Sequence, residues 1–112
     1  MRICIPVTDN GEVDPRWGKA ARVALVDVAD GKVESWHDVL VEWDVLHDEG
    51  TEGGHHARVA RFLQDHRITH VVANHMGPPM ATMLERMHLK VRLGAVGSAR
   101  EAVQQAMAGW EG

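Results

Sequence analysis

The sequence predicts an α/β domain with a mixed five-stranded sheet flanked by helices. Three observations carry that expectation. A short, β-branched apolar run opens the chain, an Asp-Gly turn separates two extended segments in the first half, and the second half alternates helical and extended periodicity.

Arg2 to Val7 is apolar and ends in the turn-forming Thr8-Asp9-Asn10-Gly11, so it reads as a buried first strand followed by a loop. Arg22 to Val28 is a second strand. Ala29-Asp30-Gly31 closes a hairpin onto a third extended segment, Lys32 to about Trp43. Asp44 to Gly54 shows no periodicity and reads as a loop, the longest candidate for a mobile segment. From His55 the period changes: Val59, Phe62, Leu63 and His66 share one face, which makes an amphipathic helix. Ile68 to Ala73 is the fourth strand. Asn74-His75-Met76-Gly77-Pro78-Pro79 turns into a helix that has proline in its first turn and Met80, Met83, Leu84 and Met87 as its apolar stripe. Lys90 to Leu93 is the fifth strand and Gly94 to Gly97 a glycine loop. Ser98 and Glu101 have the spacing of a capping box, and Ala99, Ala102, Val103, Ala106 and Met107 form the inner face of a last helix that Gly109 ends. The hairpin requires antiparallel pairing, whereas strand-helix-strand units require parallel strands.

The whole chain, residues 1–112, reads as one domain, because 45% hydrophobic residues supply one core and no linker or internal repeat interrupts it. A net charge of -4 with interspersed signs excludes a basic footprint for nucleic acid or for an anionic membrane. Pro6 interrupts the N-terminal apolar run too early for a signal peptide, and the single Cys4 suits a reducing compartment, so a cytoplasmic location is expected. Oligomeric state is not legible. Eight histidines against one Phe and no Tyr raise the prior for a metal or anion site.

Three stretches resemble the dinitrogenase iron-molybdenum cofactor biosynthesis family. They are Ile5-Pro6-Val7 through Val13-Asp14-Pro15-Arg16-Trp17-Gly18-Lys19-Ala20, then Val71-Val72-Ala73-Asn74-His75-Met76-Gly77-Pro78, then Gly94-Ala95-Val96-Gly97 leading to Glu101-Ala102-Val103. The resemblance covers nearly the whole chain. It implies a ribonuclease H-like fold and a small carrier of metal-sulfur clusters, either iron-sulfur or molybdenum-containing, that exchanges them with cluster-assembly or acceptor proteins. The family commonly has His-Phe before the first glycine of its early loop, where this chain has Arg16-Trp17. A possible ligand is thereby replaced by a cation.

Ligands in such sheets collect beyond the carboxyl ends of the parallel strands. The loop after the first strand, the Asn74 to Pro78 turn and the Gly94 to Gly97 loop should open there, as should the helix beginning at Gly53-Gly54-His55-His56. Its unpaired N–H groups favour an anion, and Arg16 and Lys19 add positive charge. His75, His55 and His56 are the candidate metal ligands, with Gly53, Gly54 and Gly77 as backbone contacts. Adjacent helical positions diverge by about 100 degrees, so only one of His55 and His56 points into a site unless the pair precedes the first turn; the bland alternative is helix-start polarity facing water. His75 is better placed, at a strand end beside Gly77. Cys4, between Ile3 and Ile5, reads as a buried inert thiol. Core packing accounts for Met80, Met83 and Met87, which leaves Met76 as a weak thioether candidate. His37, His47, His66, His70 and His88 have no metal-site spacing and read as surface or core residues. Trp17 either covers a ligand or packs on the strands.

The expected function is therefore a non-catalytic carrier or scaffold for an anionic cluster. A metal-dependent hydrolase or nuclease is the alternative, suggested only by the implied fold. It would need carboxylates on neighbouring central strands, and Arg2 to Val7 has none. A regulatory, protein-binding role through the Lys32 to Trp43 edge is a further alternative.

Overall fold

The computed structural model describes residues 1–111. Its elements run β1 (Arg2–Val7), β2 (Arg22–Ala29), β3 (Lys32–Leu40), α1 (Trp43–Leu46), α2 (Glu52–Asp65), β4 (His70–Val72), α3 (Pro78–Arg86), β5 (Lys90–Arg92) and α4 (Ala99–Glu111). The five strands form one sheet in the order β3-β2-β1-β4-β5. β2 is antiparallel to both β1 and β3, while β1, β4 and β5 are parallel. The mixed sheet and its hairpin follow the sequence expectation. Asp30 and Gly31 both take positive φ, as a tight hairpin turn with matched twist demands.

β1 lies at the centre of the sheet and is covered on both faces, which is why its apolar run is continuous rather than alternating. Ile3, Ile5 and Val7 face α4, packing with Ala99, Ala102, Val103, Ala106 and Met107. Cys4 faces the opposite layer, among Val59 and Leu63 of α2 and Met80 and Leu84 of α3. No helix among the described residues is long and apolar enough to cross a membrane.

Three boundaries differ from expectation. The third strand stops at Leu40, because the amides of Val41 and Glu42 both donate to the Ala21 carbonyl and Glu42 then turns to positive φ. Trp43 thereby swings inward and opens α1, with Trp17 and Phe62 packed edge-on against its ring at centroid distances of 5.5 and 5.6 Å. α2 starts at Glu52, three residues before His55. Thr51 caps it by accepting from the Gly54 amide at 2.9 Å, a local bond that outweighs the poor helix propensity of the Gly53-Gly54 pair. Finally, α4 runs through Gly109 to Glu111. Gly109 is exposed and keeps helical geometry there, since packing of the preceding alanine face carries the last turn.

Candidate functional site

Parallel strands deliver their outgoing loops to one end of the sheet, and a cleft of about 320 Å³ lies there. One wall is the Pro15 to Lys19 segment following β1, which contains a short 3-10 turn, Trp17–Lys19. The opposite wall is His75 to Gly77 after β4, with Pro79 and Met80 from the start of α3. Glu52, His55 and His56 of the first turn of α2 line its floor, and His47, just after α1, completes the rim. Main-chain pairing between Arg16 and His75 joins the first two walls directly.

Of the residues singled out in the sequence, Arg16, Lys19, His55, His56, His75 and Gly77 converge on this cleft. Gly53 and Gly54 do not line it: they are exposed on the outer side of the first turn of α2, and the Gly54 amide is spent on the Thr51 cap. The Gly94 to Gly97 loop lies at the same end of the sheet, as expected, with the Gly94 amide on the Asn74 carbonyl and the Val13 amide on the Gly97 carbonyl, but it does not line the cleft. Met76, the thioether candidate, also lines the cleft, whereas His47, Glu52 and Met80 line it without having been selected from the sequence. His47 has no ligand partner at a regular spacing, and only the inward turn at Trp43 brings it to the rim.

Charge at the site is arranged in opposed pairs. Arg16 is held by Asp14, which is 5% exposed and accepts from the Arg16 backbone amide at 3.0 Å, from Nε at 3.2 Å and from a terminal guanidinium nitrogen at 3.2 Å. These charge-assisted bonds push the Arg16 pKa further up. His56 Nε2 lies 4.0 Å from a Glu52 carboxylate oxygen. Lys19 and His75 are both exposed at the mouth.

His55 is the exception to this openness, since it is 2% exposed. Its Nε2 is 2.6 Å from the Gly18 carbonyl oxygen and its Nδ1 is 2.8 Å from a guanidinium nitrogen of Arg58. Arg58 can only donate, so Nδ1 accepts and the ring proton sits on Nε2, where it is given to Gly18. Burial, with a smaller repulsion from Arg58, lowers the His55 pKa against the opposing pull of the Gly18 bond. The imidazole is neutral and both of its nitrogens are engaged.

Trp17 packs into the core, as one of its two expected roles required. It lines the cleft while being only 2% exposed, and its Nε1 is buried without a hydrogen-bond partner among the described residues. Met76 and Met80 place buried thioethers beside it. Cys4 is fully buried in mid-strand, with its thiol pKa pushed far up by burial, and stands outside the cleft. Among the described residues no three His, Cys, Asp or Glu side chains stand together so as to hold a metal ion. The cleft presents the cations Arg16 and Lys19, the imidazoles, the thioethers of Met76 and Met80 and the start of α3, together with one carboxylate, Glu52. Prolines at 78 and 79 remove two amides from the start of α3, so side chains carry more of the recognition there.

The sequence matches the family model for dinitrogenase iron-molybdenum cofactor over residues 1–109. The chain belongs to that family. No curated protein matches it. Solved structures similar to this dinitrogenase iron-molybdenum cofactor family chain include PH0822, with a TM-score of 0.78 at 20% identity, covering 97% of this chain and 90% of that one. The apo form of the orange protein from Desulfovibrio gigas has a TM-score of 0.74 at 25% identity, with 96% and 88% covered. A Thermotoga protein provisionally named NifB has a TM-score of 0.71 at 22% identity, with 96% and 88% covered. Family membership associates the chain with cofactor biosynthesis or handling.

Proposed function

We propose that this chain is a non-catalytic carrier or scaffold for an anionic metal-sulfur cluster, iron-sulfur or molybdenum-containing, passed between cluster-assembly and acceptor proteins. One observation supports this above the others: His56, His75 and His47 converge with Arg16 and Lys19 on a single small cleft in a member of a cofactor family. At about 320 Å³ the cleft is at the lower end of the range of about 300–1,000 Å³ for small-molecule sites, which favours a compact inorganic anion over a large organic cofactor. The relative from Desulfovibrio gigas is described as an apo form.

The chemistry of the donors sets the mode of binding. A lone buried thiol outside the site cannot supply the thiolates of a four-cysteine cluster, so retention rests on one or two imidazoles, thioether contact, N–H donors and positive field. Such binding is reversible, as transfer requires. His75 is the principal ligand, because it is exposed at the mouth and backed by the Arg16 pairing.

Anaerobic titration of tetrathiomolybdate, a soluble metal-sulfide anion, followed by visible absorption tests the reading. His75→Ala should bind about tenfold more weakly than wild type, His56→Ala less weakly than that, and His88→Ala, far from the cleft, as wild type. Equal binding by His75→Ala and His88→Ala would remove His75 from the site. Absence of binding by the wild-type protein would remove the cluster reading itself.

A further inference from the structure

The sequence marks His55 as a ligand candidate, yet its ring offers no free nitrogen. We infer that His55 is instead a positioning residue: Arg58 holds it as the Nε2–H tautomer, and it fixes the cation-bearing turn at Gly18 against the segment that carries His47. The inference rests on the cluster-binding reading for its functional consequence, and on the hydrogen-bond geometry for its substance.

The links form one continuous chain across the base of the cleft. A single guanidinium nitrogen of Arg58 donates to the Leu46 carbonyl at 3.0 Å and to His55 Nδ1 at 2.8 Å, and His55 Nε2 donates to the Gly18 carbonyl at 2.6 Å. Leu46 is the last residue of α1, and His47 follows it. Gly18 lies between Arg16 and Lys19. The ring of His47 also packs edge-on against His55 at 5.2 Å. The two segments already meet through the Trp17–Trp43 packing, and side chains of one turn of α2 add the polar links that fix the carbonyls of Gly18 and Leu46 relative to each other. If His55 adopted the other tautomer, its Nδ1–H would face the Arg58 donor and its bare Nε2 would face a carbonyl, so both bonds would be lost together. Arg58 excludes that state.

A ligand-competent cleft is then present before the ligand arrives. Without the clamp the Trp17–Trp43 packing remains but Gly18 and the 46–47 end of the second segment lose their fixed positions, and apparent affinity falls to the fraction of molecules already in the competent arrangement.

Glutamine separates positioning from ligation, because its side-chain amide can donate to Gly18 and accept from Arg58 but offers no imidazole lone pair to a metal. In tetrathiomolybdate titrations His55→Gln should stay within about threefold of wild type, while His55→Ala and Arg58→Met should each weaken binding by about tenfold with the fold intact by circular dichroism. Binding by His55→Gln as weak as that by His55→Ala makes His55 a direct ligand and overturns the inference. Long-range ¹H–¹⁵N spectra give a readout independent of any ligand. Wild type should show the proton on Nε2 alone, and Arg58→Met should show mixed tautomers with a shifted Lys19 amide, the peptide partner of the Gly18 carbonyl. Spectra of His55 and Lys19 unchanged in Arg58→Met also overturn the inference. If wild type fails to bind the probe, the cluster reading falls, and these spectra still decide the clamp.

Discussion

Replacing Asp14 by Asn should make the protein slightly less stable and its cleft a better anion binder. Asp14 gives the Arg16 backbone amide an acceptor and pairs with two guanidinium nitrogens, its side chain 7% and that of Arg16 60% exposed. Asparagine keeps Oδ1 for the Arg16 backbone amide and Nε but presents an NH₂ group to the terminal guanidinium nitrogen, so the pairing loses its charge and one of its bonds and the guanidinium is held less firmly. An ion pair with one exposed partner contributes up to about 1 kcal/mol, and its loss should lower the melting temperature by about 4 °C. The effect on binding has the opposite sign. Removing one negative charge about 8 Å from a dianion, at an effective dielectric constant of about 60, favours binding by roughly 1.4 kcal/mol before screening. Screening with a Debye length of about 8 Å at physiological salt reduces this to about twofold in affinity, whereas about 0.01 M salt retains about sixfold. Tetrathiomolybdate titrations of wild type and Asp14→Asn at both ionic strengths measure this, with thermal melts as the stability control. Weaker binding by a folded Asp14→Asn, or a gain that does not depend on salt, would refute the assignment of the cleft as an electrostatically tuned anion site.

Two further outcomes follow from buried titratable groups. Burial lowers the pKa of both His55 and His70, so the unfolded chain binds more protons than the folded one just below the ordinary histidine value of about 6.5. Stability from these groups is full above that pH and falls as pH is lowered through it. Melting curves between pH 8 and pH 5 should show this loss, and His55→Gln should show a shallower slope; an unchanged slope would mean that His55 is not held neutral. Cys4 is fully buried and its thiol pKa is raised, so native protein should resist thiol reagents and react only on unfolding by denaturant. Rapid labelling under native conditions would contradict the central position of β1.

The sequence by itself determined the elements whose signals are local. A continuous apolar β1 with Pro6 in it, the Asp30-Gly31 turn, and the 3.6-residue stripes of α2, α3 and α4 are each written in neighbouring residues, and together they force a mixed sheet with helices on both faces. The meeting of Arg16, Lys19, His56 and His75 on one cleft was legible too, because the loops after β1 and β4 and the start of α2 lie at the end to which the parallel strands point. Tertiary structure decided the rest. Trp43 leaves the expected strand because its indole gains more by packing between Trp17 and Phe62 than by extending an exposed edge, and only that turn carries His47 to the cleft. Gly53 and Gly54 do open a helix, as expected, but the Thr51 cap takes the Gly54 amide and both glycines face outward rather than into the cleft. His55 has the same sequence credentials as His56, but its partners Gly18 and Arg58 lie on a distant turn and on the next turn of its own helix. Whether an imidazole lone pair is free depends on what the fold brings within 3 Å of it, which no spacing of residues along a chain records.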